Sequence, residues 1–203
     1  MKKIIVSLVV LLALLGFSAC SATEQSEAAA VTPYEFTSQE EKVLQMFGID
    51  SSAALVNFNA PSASSSLQVN VYYLTDGSWQ CYGGGTISLD LESGQVNQLQ
   101  GMVSVLRQDE YALAIRVNSD GVTSAYRTEP LNPNINGITS AFAIMDSAKD
   151  IVLDQEIPVA LYVYDDSYSM SGYTVDDYFT PEVFADMDLV QAVTLTFSAE
   201  NID

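Results

Sequence analysis

The stretch LQVNVYYLTDGSWQCY, residues 67–82, decides the fold. Leu67, Val69, Val71 and Tyr73 alternate with Gln68, Asn70 and Tyr72, the period of two that a half-buried strand requires. Asp76-Gly77 then supplies a two-residue hairpin turn, and Trp79 to Tyr82 forms the return strand, closed by Gly83-Gly84-Gly85.

The same signature continues outward from this hairpin. Ile87, Leu89 and Leu91 alternate with Ser88 and Asp90, and Glu92-Ser93-Gly94 turns the chain. Met102 to Leu106 reads as a further strand. Tyr111, Leu113, Ile115 and Val117 form the next, which Ser119-Asp120-Gly121 turns into Val122 to Arg127. A loop starts at Asn132-Pro133-Asn134. Period two returns at Ile138 to Ile144, at Val159, Leu161 and Val163, and at Leu189 to Phe197. Many short strands joined by Gly, Asp and Asn turns predict an all-β, antiparallel β-sandwich in which strands mostly bury one face; a closed barrel is the alternative. A parallel α/β sheet is disfavoured, because the helical crossovers it needs are missing.

Two short helices interrupt this pattern. Thr37 or Ser38 caps the first, with Ser38 and Glu41 spaced as a capping box. Val43, Leu44, Met46 and Phe47 supply its apolar face, and Gly48 ends it. The second lies near 181–187, where Thr180 precedes a proline at the first helical position.

Composition excludes several functions. The 203 residues carry 7 Lys+Arg against 26 Asp+Glu, a net charge of -19, and no histidine. Serine triads, Cys-His pairs and His-containing metal sites are therefore impossible. The basic stripe that a nucleic-acid partner needs is missing.

The N-terminus has its own chemistry. Lys2 and Lys3 precede an apolar run from Ile4 to Leu15, and Gly16 breaks it. That is the layout of a signal peptide, and the run is shorter than the ~20 residues of a membrane span. The segment Leu15-Gly16-Phe17-Ser18-Ala19-Cys20 resembles the lipobox of bacterial lipoproteins. The resemblance implies that residues 1–19 are a cleaved signal peptide. It also implies that Cys20 carries lipid and anchors the protein outside the cytoplasmic membrane. Residues 20–33 would then be a flexible tether, and 34–203 a single β-sandwich domain. Loss of Lys2 and Lys3 would leave five basic side chains against 26 acidic ones, a charge of −21.

With Cys20 assigned to lipid, Cys81 stands alone and is expected to be buried. Ser147-Ala148-Lys149 brings a serine and a lysine together, but no Gly-x-Ser-x-Gly elbow or Ser-x-x-Lys accompanies it. No cofactor is expected; were a metal bound, calcium would suit this chain better than zinc or iron, and Asp165, Asp166, Asp176 and Asp177 are the candidate ligands, although adjacent Asp pairs arise easily in so acidic a chain. These acids alternate with Tyr164, Tyr168, Tyr173 and Tyr178, the expected ligand-binding side chains. Aromatic rings stack on sugar faces while carboxylates accept hydroxyl hydrogens, and tyrosine is also enriched where proteins meet. Two packing roles compete: Tyr162 and Tyr164 on the second face of a strand, and Tyr168 to Tyr178 in a loop folded over the sandwich.

The sequence thus predicts a lipid-anchored, non-catalytic binding or interaction module with a glycan or protein ligand. Its alternatives are a carboxylate-dependent hydrolase of envelope or extracellular polymers, and a structural accessory lipoprotein of a larger complex.

Overall fold

The computed structural model describes residues 28–49, 51–88, 98–131, 139–167 and 170–200. The signal peptide, Cys20, Tyr168, Leu89, Leu91 and the loop at Asn132 lie outside the described residues.

Among the described residues eleven strands follow one another: β1 (Ala30–Pro33), β2 (Ala54–Asn59), β3 (Ser66–Thr75), β4 (Ser78–Ser88), β5 (Gln100–Arg107), β6 (Leu113–Ser119), β7 (Val122–Arg127), β8 (Thr139–Ile144), β9 (Lys149–Asp150), β10 (Glu156–Asp165) and β11 (Leu189–Ser198). They form two antiparallel sheets. One has the order β7-β6-β5-β2-β1-β9 and the other β4-β3-β11-β10-β8. The expected all-β sandwich is the fold.

The deciding hairpin pairs Thr75 with Ser78. Asp76 and Gly77 both take positive φ, 49° and 71°, the geometry of a type I′ turn, whose twist matches that of the flanking strands. Asp120-Gly121 repeats the device between β6 and β7, with φ of 50° and 78°. The glycine triplet does not close β4, as expected from the sequence, but lies inside it. Gly84 passes so close to the Val69 carbonyl that any Cβ would collide with it, and a Cβ at Gly83 would sit 2.6 Å from the Tyr126 hydroxyl. The register slips between Val71 and Tyr72, so Tyr82 enters as an extra residue and packs on the core between the sheets.

Val31, Val56, Phe58, Val103, Val105 and Ile115 from the first sheet meet Leu67, Val69, Val159, Tyr162, Leu195 and Phe197 from the second. Phe58 and Phe197 join the sheets with ring centres 5.7 Å apart. The central strands β10 and β11 bury both faces, not one. Their second face carries Leu161, Val163, Val190 and Ala192, covered by Val175, Tyr178 and Phe184. These covering residues sit on two single 3₁₀ turns, Val175–Phe179 and Pro181–Phe184, which replace the expected helix at 181–187.

Helix α1 (Ser38–Met46) is present, and its capping box lies one residue earlier than expected. The Thr37 hydroxyl accepts from the Glu40 amide at 3.3 Å, and the Glu40 carboxylate accepts from the Thr37 amide at 2.8 Å. Glu40 wins over Glu41 because its second oxygen also takes the Tyr34 hydroxyl, 2.9 Å away. The apolar face does not pack: Val43, Met46 and Phe47 are exposed and no residue of α1 is buried. Cys81, expected inside, is exposed on the edge strand β4. No helix among the described residues is long and apolar enough to cross a membrane.

Candidate functional site

The three described members of the expected ligand-binding set, Tyr164, Tyr173 and Tyr178, do not form one platform. The pleat turns Tyr164 into the space between the sheets, where it is 1% exposed. Tyr178 lies on the opposite face of the same sheet and is also buried. Its hydroxyl donates to Glu156 Oε2 at 2.6 Å, while Tyr72 donates to Oε1 at 2.5 Å and Thr194 at 3.2 Å. Burial, then the Glu156 carboxylate, holds both tyrosines well above the usual phenol pKa. Tyr173 is half-buried against Phe184, ring centres 5.1 Å apart. Residues 170–188 are thus a strap over the outer face of the β10–β11 pair, and their tyrosines fasten it.

The four candidate metal ligands separate in the same way. Asp176 pairs with Lys149 at 2.7 Å, and Asp177 accepts from the Thr174 amide at 2.7 Å to cap a 3₁₀ turn. Asp165 and Asp166 instead meet Asp188, with carboxylate oxygens of all three within 4.8 Å of one another. The Ser167 hydroxyl donates to Asp165, and the Asp166 amide donates to Asp188 at 2.8 Å. Among the described residues this trio is the group able to hold a hard cation, although Ca²⁺ takes six to eight oxygens and three carboxylates supply only part of such a shell.

A concave site lies elsewhere. Ala54 pairs with Val105 at one end of the first sheet, and there a cleft of about 610 Å³ opens, lined by residues 47–49, 52–53, 106–111 and Tyr164. Tyr164 is the one expected binding residue among the described residues that reaches it. β5 ends at Arg107 and runs into a 3₁₀ turn, Asp109–Tyr111, where the sequence suggested the start of a strand. Glu110 and Tyr111 are both left-handed there, with φ of 56° and 60°. Such a conformation costs a non-glycine residue about 1–3 kcal/mol, so the surroundings must impose it. They do so through backbone carbonyls: Leu131 N–H donates to Glu110 O at 3.0 Å, and the buried Gln191 amide donates to Tyr111 O at 2.8 Å and to the Tyr82 hydroxyl at 2.5 Å.

The Tyr111 ring meets the Tyr164 ring edge-on, 4.9 Å between centres. Arg107 lies 4.7 Å over the Phe142 ring, beside the Tyr164 hydroxyl. Burial pushes Tyr164 up to about 12 despite the opposing pull of the guanidinium. Arginine offers donors only. The Tyr164 proton consequently has no acceptor among the described residues.

No family model, no curated protein and no solved structure matches this chain.

The site must therefore be read from its own chemistry. The part-buried Arg107, a donor, lies beside the buried Tyr164 in the lining; the rim carries the exposed Asp109 and Glu110 carboxylates, which accept; and Phe47, 79% exposed, stands at the lip. The sequence pattern places Phe47 on a packed helix face and singles out none of Arg107, Asp109 and Glu110. The one local signal was the polar Gln108-Asp109-Glu110 break between two apolar strands.

The cleft also has a defined direction. Ala30 pairs with Asn59 and with Asp150, so the described chain enters at the end of the sheet away from the cleft. The five steps of β2 from Ala54 to Asn59 separate the two ends by roughly 17 Å.

Proposed function

We propose that this chain is a non-catalytic binding module, held outside the cytoplasmic membrane by lipid on Cys20, that takes its ligand in the cleft at the tether-distal end of the sandwich. One observation carries the reading: Tyr164 lines the cleft, and its buried hydroxyl has no hydrogen-bond partner among the described residues. A buried polar group without a partner costs about 1–3 kcal/mol, a cost that a ligand oxygen would remove. The entry of the chain at the opposite end supports the reading as well, because a tether there would turn the cleft outward from a membrane.

A hydrolase would need two carboxylates flanking a substrate, one held protonated in a desolvated setting. Asp109 and Glu110 are adjacent and exposed at the rim, which favours recognition over proton transfer. A structural accessory role is favoured by a different observation, the exposed Val43, Met46 and Phe47 of the α1 region.

Two measurements test the proposal. Cys20→Ser should move the protein from the membrane fraction to the soluble one; unchanged membrane association would remove the lipid anchor. Screening the full chain against glycan and peptide arrays should give a ligand whose binding falls in Phe47→Ala. A ligand indifferent to that substitution would place the site away from the cleft.

A further inference from the structure

We infer that the ligand of the end cleft is an uncharged saccharide; this rests on the binding reading above. A sugar hydroxyl is at once a donor and an acceptor, so it needs both kinds of partner around it. The cleft separates them by depth. Arg107 and the buried Tyr164 O–H offer donors deeper in the lining, and the exposed Asp109 and Glu110 carboxylates offer acceptors at the rim. A sugar ring lying between these levels directs oxygens down and hydroxyl hydrogens up.

The apolar matter is arranged to match. Phe47 stands at the lip with its ring exposed, a flat face on which the C–H side of a pyranose stacks. An apolar side chain of a peptide needs a dry hole to fill. The lining here is polar, with Ser52 joining Arg107 and Tyr164. The volume of about 610 Å³ falls within the roughly 300–1,000 Å³ of small-molecule sites.

Charge decides between neutral and acidic sugars. One arginine faces two carboxylates in the lining, and the whole chain stands at -19. An acidic polysaccharide is repelled at long range and again at the rim. The neutral saccharide is the class that inner donors, acceptor rim, ring face and field all accept.

The experiment is a printed array of neutral and acidic oligosaccharides probed with the full chain in detergent, followed by calorimetry on the best neutral and acidic members. A neutral glycan should bind at least tenfold more tightly than its acidic counterpart. Tyr164→Phe keeps the ring and removes only the buried hydroxyl. It should weaken neutral-glycan binding about tenfold while leaving the melting temperature unchanged or raised, a combination that misfolding cannot produce. Phe47→Ala, a change at an exposed position, should lower affinity to a similar extent.

Acidic glycans binding as well as neutral ones, or glycan binding undiminished in both variants, would overturn the inference. A peptide that binds and is lost in both variants would overturn the saccharide assignment and leave the binding reading standing. Silence from glycans and peptides alike would sink both.

Discussion

The Trp79 indole lies on the Tyr178 ring with centres 5.0 Å apart and planes inclined by 24°, and its N–H donates to the Tyr178 carbonyl at 2.9 Å. This pair ties β4 to the strap that covers the outer face of β10 and β11. Trp79→Ala removes the stack and the hydrogen bond from a half-buried position. The expected loss is roughly 2–4 kcal/mol of folding stability, measured by urea unfolding. Trp79 is the only tryptophan, so its emission reports on the strap alone. In the wild type, emission and far-UV dichroism should change together, because Val175, Tyr178 and Phe184 are part of a buried cluster. In Tyr178→Ala emission should change first; coincident curves there would mean that the strap does not depend on this residue.

High pH should unfold the protein through its buried tyrosines. Burial raises Tyr72, Tyr178 and Tyr164 above the ordinary phenol value of 10, and the Glu156 carboxylate adds to the first two. A raised folded pKa means that the unfolded chain loses the proton first. The stabilisation is therefore complete below pH 10 and falls as pH climbs from 10 toward the folded values. For Tyr164 the slope is at most about 1.4 kcal/mol per pH unit up to about pH 12. Tyr164→Phe should flatten the decline in unfolding free energy between pH 10 and 12. An equal decline would locate the alkaline sensitivity in the Tyr72–Glu156–Tyr178 clasp instead.

What the sequence made legible, and what it hid, follows from the range of each interaction. Asp76-Gly77 and Asp120-Gly121 act within two residues, and the alternation at Leu67 to Tyr73 acts along one strand. Such local signals specify the hairpins and the sheet faces without tertiary information. The double burial of β10 was encoded too, since Leu161 and Val163 are as apolar as Val159 on the other parity. The cleft was not legible. Phe47, Arg107 and Tyr164 share no periodicity and meet only because β2 pairs with β5 and the second sheet brings β10 beneath them. The density of tyrosine between 162 and 178 misled for a physical reason. Aromatic rings with a polar tip serve a strap, which must bury apolar area and still find partners for its edges, as well as they serve a sugar.

Crowding of like charge makes the Asp165, Asp166 and Asp188 group a weak point. Three carboxylates lie within 4.8 Å of one another in a chain of net charge -19. Asp166→Asn removes one exposed charge and keeps the backbone amide that Asp188 accepts. The variant should melt a few degrees above the wild type in low salt. The gain should shrink in 0.5 M sodium chloride, where the screening length falls to roughly 4 Å. A gain that is the same at both ionic strengths would assign the effect to packing rather than to charge.

Counting thiols joins the exposed Cys81 to the chemistry of the N-terminus. The chain has two cysteines, and Cys81 is exposed on an edge strand. Its access does not depend on unfolding, so Ellman's reagent should titrate it in the native protein, with no further thiol released by guanidinium. If the Cys20 sulfur carries a diacylglyceryl group as a thioether, the full chain purified from a bacterial membrane must give one reactive thiol per molecule under both conditions, and Cys81→Ser must give none. Two thiols in denaturant would show a free Cys20 and remove the lipid anchor. One thiol that persists in Cys81→Ser would show the same and would place Cys81 out of reach of the reagent.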